Sequence, residues 1–354
     1  WADFAEAMSV VEQRLRLDPA GIYPLMHFDT RDHYRHIIEI LARHSHFSEP
    51  EVASRVLALA EETAADTPGH HIGYFLIGEG RQQLERQLSA NTSWISRLRH
   101  SFNQVPLLSW LGSLSLLATA VTASIMYETA LEGVTWLLIS LAIPLIVVIS
   151  QLVSDLLSEA TTRFRTPRPL PRMDFSAGIP AESATMVVIP CLLNSREGIG
   201  KLITSLEVCW LGNQSNHLCF ALLTDFTDAQ KENSPENSVL LAEAIAQTKD
   251  LNRRYPASRP LFYLLHRPAE WNPSQRVWMG YERKRGKLAL LNSWLRQPDK
   301  QFSSVAGMPA DRLPQGIRYV ITLDSDTVLP RDTAHQLVAT MAHPLNRPEY
   351  DPVR

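Results

Sequence analysis

Two long stretches without a charged side chain constrain the fold most strongly. Residues 105–127 and 134–152 contain no Asp, Glu, Lys or Arg, and the segment between them is long enough only for a turn. As an α-helix the first stretch is about 34 Å long, which exceeds the hydrocarbon core of a bilayer at about 30 Å. Pro144 lies inside the second stretch, and membrane helices tolerate proline more readily than soluble ones. We therefore expect two transmembrane helices, at about 105–127 and 134–155, and the alternative is a hairpin buried in a large soluble protein.

Basic residues flank this hairpin on one side. Arg97 and Arg99 precede it, several arginines follow it, and the turn carries only Glu128 and Glu132. The positive-inside rule therefore places both flanks in the cytoplasm and makes the lipid bilayer an expected partner. Residues 161–182 are rich in Arg and Pro, which is typical of a linker along the headgroup surface.

The first 100 residues favour a soluble helical region. Apolar residues recur at helical spacing between 32 and 62, and Ser48 followed by Glu51 indicates a capping box at a helix start. A further amphipathic stretch covers residues 74–88. The histidines of this region have no metal-ligand spacing, so we expect a structural module.

From residue 183 short apolar runs alternate with amphipathic segments. Strands are expected at 185–190, 218–223, 261–265 and 319–323, and helices at 196–210, 238–254, 285–295 and 331–342. This alternation indicates an α/β domain over 183–354 with a mostly parallel sheet. Ligands bind beyond the carboxyl ends of such strands, where the sequence places Pro190, Asp225 and Asp324.

Charge and cysteine content narrow the classes of function. The net charge is −3, so there is no overall basic field, and we expect no nucleic-acid partner. Cys191, Cys209 and Cys219 have neither zinc-site spacing nor a pairing framework. We therefore predict reduced thiols, mostly in the core.

Two aspartates one residue apart follow the last apolar run. Asp324 and Asp326 can project together from a strand end, and Mg²⁺ or Mn²⁺ prefers such carboxylate oxygens. We predict a metal site there, with Asp324 also near a bound substrate. Asp225 is placed to accept hydrogen bonds from a ligand; alternatively it caps the next helix, a role open to Asp228 as well.

Cations are concentrated at residues 282–287, which read Glu-Arg-Lys-Arg-Gly-Lys before a helical pattern. Cations and a glycine at a helix start suit a diphosphate. Arg285 and Lys287 are the predicted contacts. A charge run is otherwise typical of a solvated face, and the GxxxxGK[ST] pattern is absent from the sequence.

These motifs, in this order, resemble the nucleotide-binding half of family 2-like glycosyltransferases with the GT-A fold. A closer resemblance, to the bacterial cyclic β-1,2-glucan synthases, covers nearly the whole chain. It is carried by FDTRDHYR, HIGY, LLTDFTDA, FYLLHRP, WMGYERKRGKL, YVITLDSDTVLPRDTA and MAHPLNRP, which begin at residues 28, 71, 222, 262, 278, 319 and 341. The expected fold is mixed: an all-α N-terminal segment, a transmembrane hairpin, and a truncated, Rossmann-like GT-A domain.

The resemblance implies UDP-glucose as donor, a divalent metal, and a growing β-1,2-glucan chain on a protein-bound intermediate that is later cyclised. It implies a bacterial inner-membrane enzyme whose catalytic domain faces the cytoplasm. By residue, it implies nucleotide contact for Asp225, UDP contacts for Arg285 and Lys287, and metal binding for Asp324 and Asp326.

The chain departs from the family 2 pattern after the first strand. Many of those enzymes carry Asn-Glu there and this chain has Asn194-Ser195, which leaves Glu197 as the replacement for a ribose contact.

An α-linked donor and a β-linked product require inversion with a general base. The resemblance implies that this base, further membrane spans and a phosphorylase-like region follow Arg354, so residues 1–354 alone are expected to be inactive. The alternatives are a processive GT-A synthase for another sugar or linkage, and a catalytically silent membrane scaffold.

Overall fold

The structure is a computed structural model that describes residues 6–88, 106–130, 135–164, 169–232, 234–296, 304–306 and 316–348. It consists of a helical module (residues 6–88), a pair of long apolar helices, and an α/β domain (residues 175–348). The predicted mixed fold is confirmed, because the first two parts are helical and the third contains a largely parallel sheet. Some of the predicted basic flank lies outside the described residues, namely Arg97, Arg99, Arg165 and Arg168.

The helical module is built around one apolar core. Its helices α1 to α5 are Val10–Leu15, Phe28–Arg43, Glu49–Glu61, Gly73–Leu76 and Arg81–Gln87. Tyr23, Tyr34 and Phe75 are among the largest side chains buried where their apolar faces meet. The helical spacing of the sequence therefore reflects a common buried face.

Capping and glycine residues set the helix limits in the module. Ser48 and Glu51 form the predicted capping box at the start of α3. The stretch at 74–88 is not one helix but is divided into α4 and α5 around Gly78 and Gly80. A Cβ on Gly80 would lie 2.6 Å from the Tyr74 ring, so this break allows a close approach that a continuous helix would not.

Helices α6 (Pro106–Ala130) and α7 (Thr135–Phe164) are long and apolar enough to cross a membrane, judged by length and composition. They pack against each other through Ala118, Ile149 and Val153. Only 11% of each apolar window is buried within the protein. Pro144 lies inside α7, and this helix continues beyond the predicted limit at residue 155.

The α/β domain contains one main sheet and a small hairpin. Strands β1 to β7 are Thr185–Leu193, Leu218–Phe226, Phe262–His266, Glu270–Asn272, Val277–Met279, Ser304–Ala306 and Tyr319–Thr322. The main sheet has the order β6-β3-β2-β1-β7, and within it only β6 runs antiparallel to its neighbour. The β4–β5 hairpin was not predicted from the sequence. Helices α8 to α11 are Arg196–Leu211, Pro235–Arg254, Arg283–Arg296 and Thr333–Ala342.

Helices cover both faces of the sheet, so the domain has three layers. Val187, Phe220 and Leu222 lie in the core shared with α8, α9 and α11. Val188 and Ala221 lie in the core shared with α10. Because both faces are buried, the central strands read as continuous apolar runs rather than as alternating patterns. The three cysteines are free and buried, as predicted.

Strand β1 does not end at Pro190, as the sequence had indicated, but runs on to Leu193. Pro190 lies opposite Leu223 of β2, whereas the pairing of β1 with β7 stops at Val188. Beyond that point one edge of β1 has no strand partner among the described residues, and a sheet tolerates proline at such an edge. Pro190 is therefore half-buried inside the strand and not at its carboxyl end.

A buried carboxylate holds loops of the helical module together. Asp18 accepts hydrogen bonds from the backbone N–H groups of Ile22, Tyr23 and Ile72 at 3.0, 3.1 and 3.1 Å, and from His71 Nδ1 at 2.8 Å. Burial by itself raises the pKa of Asp18, but the hydrogen bond and charge of His71, with the backbone donors, outweigh burial and lower this pKa below its ordinary value.

We expect Asp18→Asn to lower the free energy of unfolding by about 3 kcal/mol at about pH 7, because the amide brings an NH₂ group among buried donors. The carboxylate stabilises the fold above its ordinary pKa and loses this effect as the pH falls through its depressed folded-state pKa, so the two proteins should converge in acid. Thermal and urea unfolding measure the difference. Asp250→Asn, which removes an exposed pair with Arg253, is the matched control, and equal losses in both variants would contradict the expectation.

Candidate active site

A buried carboxylate lies at the carboxyl edge of the sheet. Asp225 is the second-to-last residue of β2 and is 2% exposed. Its Oδ1 accepts a hydrogen bond from Lys287 Nζ at 2.7 Å, and its Oδ2 accepts one from Arg267 Nη2 at 2.6 Å. These two cations replace the hydration that the carboxylate loses on burial.

Lys287 connects three elements of the fold. It lies near the start of α10, and its side chain is 4% exposed. Its ammonium group donates to the carbonyl of Cys191 in β1 at 2.7 Å as well as to Asp225 in β2. In this structure Lys287 therefore holds Asp225 in place and is not an exposed cation.

Arg267 is a site residue that the sequence reasoning missed. It follows β3 directly, and its backbone N–H donates to Thr224 O of β2 at 2.9 Å. Its guanidinium group also donates to the carbonyls of Tyr281 at 2.7 Å and Arg283 at 3.3 Å. Its Nε is buried without an acceptor among the described residues. Its position directly after a strand of this sheet was the signal that could have found it.

The segment 280–286, here called the cationic loop, is shaped around Arg267. A Cβ on Gly280 would lie 2.1 Å from Asp225 Oδ2, and one on Gly286 would lie 2.6 Å from Arg267 Nη1. Only glycine, which has no Cβ, lets the loop backbone lie this close to the Asp225 and Arg267 side chains. Glu282 and Arg283 have φ values of 54° and 48°, a left-handed conformation that costs free energy in residues with a Cβ. The bonds from Arg267 to the loop carbonyls help to hold this conformation.

The buried cluster carries more positive than negative charge. Asp225 is one carboxylate between two cations, Lys287 and Arg267, so one positive charge is not balanced within this trio. His266 lies beside it, with its Nδ1 2.9 Å from Thr224 Oγ1. Burial, together with the nearby cations, lowers the pKa of His266 to about 4, so the ring is neutral near pH 7. The unbalanced charge belongs to the buried trio alone, because the exposed cations of this edge, Arg283, Lys284 and Arg285, each have a carboxylate partner.

The predicted acidic pair lies beside the cationic loop. Asp324 and Asp326 are exposed in the turn after β7, and the Asp324 carboxylate accepts a hydrogen bond from the Lys284 ammonium group. Lys284 and Lys287 lie three residues apart on α10, which places them on neighbouring turns of one helix. The acidic pair and the Asp225 cluster therefore share one edge of the domain.

The remaining predicted residues differ in their surroundings. Arg285 is 83% exposed and pairs with Glu282 at 3.3 Å, so it does not join the buried cluster. Asp228 pairs with Arg283 at 2.8 Å and caps no helix. Ser195 caps α8 by accepting a hydrogen bond from Gly198 N–H at 3.1 Å, and Glu197 pairs with Lys201 at 2.7 Å.

The donor set fits a hard divalent cation only in part. Two exposed carboxylates one residue apart are suitable oxygen ligands, and Asp324 already contacts a cationic group. Within the described part of the chain, however, no three His, Cys, Asp or Glu side chains are grouped closely enough to hold a metal ion. Mg²⁺ and Mn²⁺ commonly complete their shells with water and phosphate oxygens, so a two-carboxylate site is consistent with an ion bound together with a diphosphate.

We expect Gly280→Ala to destabilise the protein by about 2 kcal/mol, because the new methyl group would overlap with the buried Asp225 carboxylate. Gly200→Ala is the control, since a Cβ at that helical position meets nothing within 4 Å. Alanine at position 200 should leave stability unchanged or raise it by up to about 1 kcal/mol. Thermal unfolding distinguishes the two, and a tolerated Gly280→Ala would show that the loop does not approach Asp225 as closely as described.

Comparison with known proteins gives one informative relative. No family model matches the chain. It is 34% identical over 362 aligned positions to the cyclic beta-(1,2)-glucan synthase NdvB of Rhizobium meliloti (strain 1021), and the match covers 99% of this chain but 12% of that protein. The chain is therefore a relative of a segment of the cyclic β-(1,2)-glucan synthases, and the family predicted from its motifs is confirmed.

Proposed function

We propose that these residues form the nucleotide-binding part of a UDP-glucose-dependent glucosyltransferase that builds β-1,2-glucan on a protein-bound intermediate. The observation that carries this proposal is the contact of Lys284 with Asp324, because it brings the acidic pair to the same edge as the buried Asp225 cluster. The relationship to a cyclic beta-(1,2)-glucan synthase supports the choice of sugar and linkage.

In this proposal the residues of the Asp225 cluster recognise the nucleoside. A carboxylate oxygen has more than one lone pair, so Asp225 is able to accept a hydrogen bond from a uracil imide or a ribose hydroxyl while it remains bonded to Lys287 and Arg267. Lys287 and Arg267 act as positioning residues, because their donors are directed at protein acceptors. Preorganisation of this kind reduces the free energy lost when a ligand is bound.

The exposed cations are the proposed diphosphate contacts. Lys284 and Arg285 lie at the start of α10, where the backbone N–H groups and the helix dipole add to the side-chain charge. Asp324 and Asp326 would hold Mg²⁺ or Mn²⁺, which neutralises charge on a departing diphosphate. Asp324 now pairs with Lys284, and if this carboxylate held a cation of that kind instead, the Lys284 ammonium group would be left to contact phosphate oxygens.

In this proposal, the group that activates the acceptor hydroxyl lies outside the described edge of the domain. Inversion needs a single in-line displacement and a general base on the acceptor hydroxyl. No residue of the described edge is assigned that role, and we propose that it is supplied by the polypeptide after Arg354. The proposed partners are therefore UDP-glucose, the growing glucan, and the remainder of the same polypeptide, including further spans and a phosphorylase-like region.

We further propose that α6 and α7 cross the bacterial inner membrane, with the module and the α/β domain on the cytoplasmic side. Two observations support this placement. The helices expose most of their apolar windows, and Arg163 and Arg172 follow them, as expected for a cytoplasmic flank.

Metal-dependent UDP binding tests the donor site. In the full-length protein, Asp326→Asn should weaken UDP binding in Mn²⁺ by at least about tenfold, because one of two carboxylate ligands is lost. Isothermal titration with and without Mn²⁺ measures the effect, and Asp250→Asn is the control on a remote surface. A catalytically silent scaffold would show no metal-dependent binding. Linkage analysis of the product from UDP-glucose separates β-1,2-glucan synthesis from another processive activity.

Arg267→Lys tests the positioning role. A lysine is able to pair with Asp225 but cannot also reach two loop carbonyls with a single ammonium group. We expect the KM for UDP-glucose to rise by about tenfold with a smaller change in kcat. Arg254→Lys is the matched control, since Arg254 pairs with Glu207 on a surface away from the cluster. An unchanged KM in Arg267→Lys would remove Arg267 from the site.

A further inference from the structure

The segment that follows the two apolar helices lies between the helical module and the α/β domain. His27 N–H donates to Arg172 O at 3.0 Å, and Asp174 N–H donates to Leu25 O at 2.8 Å. Met173 N–H donates to Ala339 O of α11 at 3.0 Å. Residues 172–174 thus pair with the module on one side and with α11 on the other, so the two parts are joined by backbone hydrogen bonds.

A histidine fills the centre of this interface. His343 directly follows α11 and is fully buried. Its Nδ1 accepts a hydrogen bond from Leu345 N–H at 3.3 Å, so the neutral ring carries its proton on Nε2, which lies 3.2 Å from Met26 Sδ. Its ring meets the His71 ring edge-on, with centroids 5.4 Å apart. Burial lowers the pKa of His343 to about 3, with a further contribution from His71.

The module holds its side of the contact rigidly. His71 Nδ1 donates to Asp18 at 2.8 Å, and His71 Nε2 lies 3.4 Å from Tyr34 OH. Gly73 makes this arrangement possible, since a Cβ there would lie 2.2 Å from Tyr34 OH. The His71 ring is therefore fixed by the core of the module before it meets His343.

The other end of α11 holds the acidic loop (residues 324–332), which contains Asp324 and Asp326. The helix has ten residues, about 15 Å, and follows this loop immediately. Asn213, just after α8, donates to Pro330 O at 3.0 Å and accepts from Ala334 N–H at 2.9 Å. The backbone N–H of Asp332 donates to Gly212 O at 2.9 Å. These bonds hold the end of the acidic loop and the first turn of α11 against the same end of α8, so a displacement of α11 at this end would also displace residues 330–332.

We propose that the helical module is a positioning element of the transferase domain, which docks on His343 and so fixes α11 and the acidic loop in the geometry that binds the donor. The donor-binding part of this statement rests on the proposed function; the docking part does not. The His343 ring meets the His71–Asp18 pair at the centre of the interface, and the rim carries the Arg172–Asp29 pair at 2.7 Å.

The test uses His343→Glu in the full-length protein, because an unpaired carboxylate in this contact opposes docking. Hydrogen exchange measured by mass spectrometry should rise at least about fivefold in residues 172–174 and 324–332, while β1 and β2 stay protected. The KM for UDP-glucose should rise by about fivefold or more with a smaller change in kcat. His343→Gln, whose amide can serve both polar contacts, should restore both readouts, and His46→Glu on the exposed surface of the module is the control.

The outcomes distinguish the docking of the helical module on His343 from the proposed donor binding at the acidic loop. Unchanged exchange in residues 324–332 of His343→Glu would overturn the docking proposal. Raised exchange with an unchanged KM would support docking and count against the acidic loop as the donor site. Where His343→Glu fails to fold, Met26→Ala weakens the contact from the module side, and the same rise in exchange at 324–332 is expected. Unchanged exchange in that variant would likewise overturn the proposal.

Discussion

The sharing of one buried carboxylate by two buried cations is the constraint on which the candidate site depends. Asp225 receives Lys287 and Arg267 on its two oxygens, and these side chains come from α10 and from the end of β3. Removal of Asp225 would leave two buried cations without their carboxylate, whereas removal of either cation would leave one oxygen of Asp225 without its hydrogen-bond donor. The trio therefore fixes the relative positions of β1, β2, β3 and α10 at the edge where the ligand is proposed to bind.

The cations at this edge fall into two groups. Buried cations hold the fold of the site together, and exposed cations are accessible to a ligand. Lys287 and Arg267 are buried, and their donors face protein acceptors. Lys284 and Arg285 are exposed, and their present partners are carboxylates at the surface. Since exposed pairs contribute little to stability, these two cations can change partners at small cost. The basic segment 283–287 therefore has two roles. Lys287 holds Asp225 in place, and Lys284 and Arg285 remain accessible for the proposed diphosphate.

Hydrogen bonds and a buried ring contact join the helical module to the α/β domain. Contacts through His343, Met173 and Arg172 join them without involving the apolar helices. Residues 169–174, which carry some of these contacts, follow α7 closely in the sequence.

The sequence by itself determined the order of the parts, the apolar helices, the alternation of strands and helices, and the family, because periodicity and motif spacing are local properties of the chain. It also indicated Asp225 and the acidic pair, which directly follow or end apolar runs. Only the tertiary structure decided that Lys287 is buried beside Cys191 O, that Arg267 completes the cluster, and that His343 meets His71. These contacts join residues distant in sequence, and no local pattern records which side chains meet once the sheet and the module have packed.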